Sequence, residues 1–156
     1  MKGLTLALGF VLSSPVWAHH SFAAEFDEKK PVTLQGTVIQ MEWVNPHTWI
    51  HIAVKNPDGT VTEWRVEGNT PNSLLRAGFT RKSLEAGMEI VVRGYLARSG
   101  DKIASGSTVT FRDGKKLSLG SSHDEPPASA LLGWVSQDEA IWRKQAAEQA
   151  QGQHDR

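Results

Sequence analysis

A chain of 156 residues with 17 Lys and Arg against 17 Asp and Glu, 39% hydrophobic and without cysteine, has the size and composition of one small globular domain. Its zero formal charge removes the usual electrostatic drive toward nucleic acid or an anionic membrane, since both are bound through clustered Lys and Arg. Without a thiol there is no disulfide, thiolate zinc centre, iron–sulfur cluster or Cys nucleophile, so a metal would have to be held by His, carboxylate, Met or backbone groups.

The first segment reads as a secretory signal. Lys2 precedes the apolar run Leu4 to Leu12, which is shorter than the ~20 residues a membrane-spanning helix needs. Ser13 to Ala18 follows, with small residues Val16 and Ala18 at the positions signal peptidase reads. Cleavage is expected after Ala18, which makes residues 1–18 a signal peptide and the mature chain periplasmic or secreted, with no membrane attachment. His19 then becomes the N-terminus, and its α-amine, its imidazole and the imidazole of His20 place three nitrogen donors on two residues. That is the donor set Cu(II) favours among first-row ions.

Val32 to Val44 is strand-like, with Gly36 permitting a sharp bend, and Asn45-Pro46 ends it. His47 to Val54 alternates strictly. Thr48, Ile50, Ile52 and Val54 form a core face, while His47, Trp49, His51 and Ala53 form the other. Asn56-Pro57-Asp58-Gly59 is a turn signal between two alternating runs, so Thr60 to Val66 is expected to return as a hairpin partner with Thr62, Trp64 and Val66 on one face. Thr70-Pro71 is an N-cap followed by Pro at the first helical position, and Gly78 a stop, which predicts a short helix from Pro71 to Ala77 carrying Leu74 and Leu75 inward. Met88 to Ala97, Ala104 to Phe111 and Lys115 to Leu119 complete the strands.

Three strands, a helix and two or three further strands is the element order of an OB-like barrel, an all-β class with one short helix; an up-and-down meander gives nearly the same pattern. The barrel domain is expected to span 19–120. Composition changes at Gly120 to a Ser- and Pro-containing linker, and 121–156 then holds a weakly amphipathic helix from Ser136 to Gln151, opened by a capping box of Ser136 and Glu139, and a polar end.

His19-His20-Ser21-Phe22, Glu25-Phe26-Asp27, Pro31-Val32-Thr33-Leu34, Gly36-Thr37-Val38, Trp43, Asn45-Pro46-His47, Trp49-Ile50 and Asn72 with Leu74, Leu75 and Arg76 occur together in this order. This combination resembles an uncharacterised bacterial family of small secreted proteins, domain of unknown function 6152, over roughly His19 to Gly120. The resemblance implies an exported small β-barrel domain and implies no activity.

Two constellations carry possible function. His19, His20 and His47 could share a metal if the N-terminal arm folds over the barrel. His51, four residues along the same strand from His47, stands ~13 Å from it and cannot join the same ion, so it reads as structural. Trp43, Trp49 and Trp64, with Phe22 and Phe26, could instead line a groove for an apolar or planar ligand, or simply fill the barrel core. Of these, Trp49 is expected on the less buried face. No paired carboxylate spacing, nucleophile elbow or phosphate loop is present, so the chain reads as non-enzymatic. Two functions follow: an exported binding module for a small molecule or protein partner, or a periplasmic copper-binding protein built on the N-terminal His pair.

Overall fold

The computed structural model describes residues 22–120 and, beyond them, residues 140, 141, 143, 144 and 151. A four-residue helix α1 (Phe22–Glu25) leads into β1 (Phe26–Glu42), followed by β2 (Trp49–Lys55), β3 (Val61–Glu67), α2 (Pro71–Arg76), β4 (Glu89–Ala97), β5 (Ile103–Phe111) and β6 (Lys116–Ser118). The result is one mostly antiparallel sheet of six strands in the order β3-β2-β1-β4-β5-β6, with two short helices. The sequence reading had one helix in this region. The additional α1 is only four residues long and has no apolar periodicity to announce it; the Phe22 ring stacks on Phe26 and meets Tyr95 edge-on, each at 5.6 Å between centroids.

The 17-residue β1 starts six residues before the predicted boundary and serves two partners. Its first half pairs with β4 from Pro31 to Thr37, and its second half with β2 from Thr37 to Glu42. Gly36 sits where the strand changes partner. A Cβ there would meet the Ala53 carbonyl oxygen at 2.6 Å, so the absence of a side chain is what lets β1 and β2 approach. A bulge between Val38 and Gln40 then leaves Ile39 exposed and shifts the alternation by one residue. Val38 and Met41, an odd number apart, both therefore face the core.

The β2–β3 hairpin follows the sequence pattern closely. Ile50, Ile52 and Val66 are fully buried and Val54 and Trp64 pack against the core. Asn56 closes the turn through its backbone N–H, which donates to the Thr60 carbonyl at 2.8 Å, and Gly59 takes φ = +86° as such a turn requires. The Asp58 carboxylate accepts from the Thr60 hydroxyl at 2.6 Å and from the Thr60 N–H at 2.9 Å; these bonds, led by the hydroxyl, hold its pKa below the usual 3.8.

The helix α2 begins as predicted, with the Thr70 hydroxyl accepting from the Ser73 N–H at 3.2 Å and Pro71 at the first position. Only one of its two leucines turns inward. Leu74 is buried and Leu75 is 53% exposed, because consecutive residues on a helix stand ~100° apart and cannot share one narrow face. The closing contact of the sheet is parallel: β3 runs beside β5 with Arg65 opposite Ile103, Val66 opposite Ala104 and Glu67 opposite Ser105. Strand pairings thus run β1–β2–β3–β5–β4 and return to β1.

Of the predicted C-terminal helix, the described residues 140, 141, 143, 144 and 151 are helical. Its capping box at Ser136 and Glu139, Trp142 and the linker lie outside the described residues.

Candidate functional site

The residues that the sequence singled out on β2 are organised by the hairpin register. Trp49 stands opposite Glu67, His51 opposite Arg65 and Ala53 opposite Glu63. On such a ladder a side chain also reaches the residue diagonal to its direct partner on the same face. Three diagonal contacts of the same kind result. His51 Nδ1 lies 2.7 Å from Glu63 Oε1, and the Arg65 guanidinium covers the Trp49 ring at 4.4 Å. Two residues further on, His47 Nδ1 lies 3.0 Å from Glu67 Oε1. The backbone continues the ladder beyond the strand ends to support this last rung, with the Thr48 N–H donating to the Asn69 carbonyl at 3.2 Å and the Gly68 N–H donating to the Thr48 carbonyl at 2.9 Å.

The two histidines differ in what closes their second nitrogen. His51 is buried, and its Nε2 lies 3.0 Å from Glu42 Oε1 on β1, so both ring nitrogens face carboxylates. His47 sits where β1 has already ended, in the loop that contains the cis Asn45–Pro46 peptide. It is half-buried and faces a cavity of about 240 Å³ lined by Phe22, Glu25, Phe26, His47, Glu67, Gly68, Asn69, Ser105, Gly106, Leu119 and Gly120. A second cavity, of about 300 Å³, is lined by Ala24, Glu25, Phe26, Trp49, Glu67, Ala97, Arg98, Ser99 and Ile103. Glu25, Phe26 and Glu67 line both, so the two adjoin as one cleft where the β1–β2 loop, the β4–β5 turn and α1 converge. Its lining mixes aromatic and aliphatic side chains with the polar side chains of Glu25, His47, Glu67, Asn69, Arg98, Ser99 and Ser105.

Of the three tryptophans, Trp49 lines this cleft, on the face opposite Ile50 and Ile52, as the alternation requires. Trp43 and Trp64 pack against the core instead, with Arg81 5.8 Å from the ring centre of Trp43 and Lys102 5.3 Å from that of Trp64. Phe22 and Phe26 join Trp49 in the cleft. His19 and His20 lie outside the described residues. Among the described residues no group of three or more His, Asp or Glu is arranged to hold a metal ion, and no helix is long and apolar enough to cross a membrane.

Sequence reasoning passed over Glu67, which both cavities share. The signal was available: with the Asn56-Pro57-Asp58-Gly59 turn setting the register, the diagonal partner of His47 is Glu67, just as that of His51 is Glu63. Glu25 and Arg98 had no such signal, because α1 and the β4–β5 turn meet only through the closure of the sheet. The Arg98 side chain donates to the Ala23 carbonyl at 2.9 Å and its backbone N–H to the Glu25 carbonyl at 2.8 Å, which ties α1 over the cleft.

A mostly antiparallel six-stranded domain with a cleft at one end and no recognisable catalytic constellation among its described residues defines a class of small β domain, not an activity. The chain belongs to the family of unknown function DUF6152, whose model matches residues 9–107. No curated protein and no solved structure matches it.

Proposed function

We propose that this protein is exported, loses residues 1–18, and acts in the periplasm or outside the cell as a binding module of OB-like barrel form, holding a small molecule or a segment of a partner protein in the cleft around Glu67. The return of the strand pairings to β1 and the position of α2 between β3 and β4 support the barrel reading. The observation that carries the function is the cleft itself: two adjoining cavities of about 240 and 300 Å³ in which aromatic side chains stand beside convergent polar groups, a combination that ligand sites use. In OB folds the face of the second and third strands, with the loops after the first and fourth, is the common binding surface, and here those elements supply Trp49, Glu67, His47, Arg98 and Ser99.

The test is native mass spectrometry of the protein recovered from its own periplasm, beside variants Phe26→Ala and Glu67→Ala. A co-purifying mass retained by the wild type and lost from both variants is the expected result. A bare wild-type protein under conditions that preserve non-covalent complexes counts against the module. The same spectrum reads the mature terminus, expected at His19; retention of Met1 to Ala18 overturns the export reading.

A second reading, Cu(II) binding through His19, His20 and His47, is favoured by one observation. Phe22 lines the same cavity as His47, and three residues of chain span at most ~10 Å, which brings His19 within reach of that cavity. Extending the mature chain by one residue before His19 converts the amine to an amide and is expected to weaken Cu(II) sharply. His47→Ala weakens it less, and His51→Ala leaves it unchanged because both nitrogens of that ring face carboxylates. Equal affinity in mature and extended chains overturns this reading.

A further inference from the structure

We infer that α1 and Phe26 form a hinged strap that opens and closes the cleft while the sheet behind it stays folded. This rests on the cleft reading above and adds the device that admits a ligand. The strap forms part of both cavities, through Phe22, Glu25 and Phe26 in the first and Ala24, Glu25 and Phe26 in the second. Phe26 is buried, yet among the described residues it stands apart from the core cluster built on Leu34, Val38, Ile50, Ile52 and Val66. Its ring is a wall of the cleft and not a piece of that core. Lifting it enlarges both cavities at once.

A hinge follows directly in the chain. Between the pair Phe26–Ala97 and the pair Pro31–Tyr95, the β1 residues Asp27 to Lys30 stand against Leu96 alone on β4. An excursion of this kind interrupts the ladder and lets the backbone turn on either side of it. Its polar contacts are local: the Lys29 N–H donates to Asp27 Oδ1 at 3.1 Å, and Lys30 Nζ lies 3.8 Å from Asp27 Oδ2. Glu28, Lys29 and Lys30 are exposed, so a change of direction here costs little packing. From Pro31 opposite Tyr95 to Thr37 opposite Glu89 the rungs are consecutive, and the strand belongs to the sheet.

The described fastenings of the strap gather at the end of β4. Phe26 pairs with Ala97, and the Phe22 ring meets Tyr95 edge-on at 5.6 Å. Arg98 is the latch: its backbone N–H donates to the Glu25 carbonyl at 2.8 Å and its Nε to the Ala23 carbonyl at 2.9 Å. The opposite wall is built differently. Glu67 and Ser105 face each other in the parallel β3–β5 pair, and the Asn69 N–H donates to the Leu119 carbonyl at 2.8 Å, so that wall is held by the pairings that close the sheet. A four-residue helix has too few internal hydrogen bonds to stand without its latch. Segments held by few contacts and exposed hydrogen bonds open at lower free energy than core strands, which makes the strap the part of the cleft that moves.

The test is native-state hydrogen exchange on the full-length protein. It needs no ligand, so a rigid strap and an empty cleft are separate results. The Arg98 amide reports the strap and the Asn69 amide the closed sheet. After correction for intrinsic rates, the Arg98 amide is expected to exchange at least ~100-fold faster than that of Asn69, through an opening that low denaturant hardly affects. Phe22→Ala and Arg98→Ala are each expected to raise this opening about 3- to 10-fold, the usual effect of one ring contact or hydrogen bond, and to leave Asn69 unmoved. Because the chain has no cysteine, Ser105→Cys puts a single thiol in the first cavity, and its labelling by a bulky maleimide is expected to quicken by the same factor in both backgrounds. Arg112→Ala removes the 2.9 Å contact with Glu89 at the other end of β4 and is expected to change neither rate. An Arg98 amide that exchanges only with global unfolding overturns the strap. Equal thiol labelling in all backgrounds overturns its role as the gate. Acceleration by Arg112→Ala as large as by the two strap variants assigns the effect to general loss of stability and overturns both.

Discussion

Replacing Gly36 by alanine tests whether the crossing of β1 from one partner to the other depends on close approach of two backbones. The new Cβ would stand 2.6 Å from the Ala53 carbonyl oxygen, 3.1 Å from its carbon and 3.2 Å from Val54 Cγ2, where ordinary contact begins at 3.4 Å. The methyl of Val54 can rotate away. The Ala53 carbonyl cannot, because it belongs to the strand whose pairing with Thr37 holds β1 and β2 together, so relief requires the strands to part by about 0.8 Å at a ladder position. Overpacking of this kind costs about 1–3 kcal/mol. Against it stands the entropy that alanine removes from the unfolded chain, worth up to about 1 kcal/mol. The steric term is the larger, and Gly36→Ala is expected to destabilise by roughly 1–2 kcal/mol, a fall in Tm of about 5–15 °C for a domain of this size. Circular dichroism melting of wild type and variant measures it. A Tm within about 2 °C of wild type, or above it, would refute the argument that this crossing has no room for a side chain.

The two leucines of α2 should part company: Leu74→Ala removes a side chain buried in the core and is expected to cost about 2–5 kcal/mol, while Leu75→Ala, on the exposed face, stays within about 0.5 kcal/mol, both read by denaturant unfolding. Because the Thr60 hydroxyl and N–H lower the Asp58 pKa, the turn's stabilisation is present above 3.8 and is lost as pH falls through the lower folded-state value. A carboxyl titration followed by NMR should place the Asp58 midpoint below 3.8 and return it toward that value in Thr60→Ala, and a wild-type midpoint at or above 3.8 contradicts the turn geometry. A chain of His19 to Gly120 is expected to unfold cooperatively within a few degrees of the full-length protein, since every described strand and core residue lies inside it; an insoluble or non-cooperative fragment would place the helix containing Ile141 in the core.

What the chain's local pattern determined is clearest in β2 and β3. Period-two alternation on both sides of a strong turn signal leaves one register that buries Ile50, Ile52 and Val66 together, and that register also places Glu67 beside His47 and Glu63 beside His51. The start of α2 was equally legible, because Thr70 and Pro71 act on their own neighbours. The strand β1 was legible from Val32 onward. Its first residues, Phe26 to Lys30, include a charged run without alternation; Phe26 pairs with Ala97 of β4 and stacks on Phe22, and the register shifts before pairing resumes at Pro31. The bulge at Ile39 likewise has no signal in a run of Val38, Ile39 and Gln40; it exists because Met41 must return to the core after the strand has changed partner. The cleft belongs wholly to tertiary structure. His47, Glu67, Phe22, Arg98 and Ser105 come from separate elements, and they meet because β3 and β5 pair in parallel while α1 is tied to the β4–β5 turn. Alternation states which face of a strand is buried but carries no information on which strand lies next to which, so the sheet's closure, and with it the site, was decided only by packing.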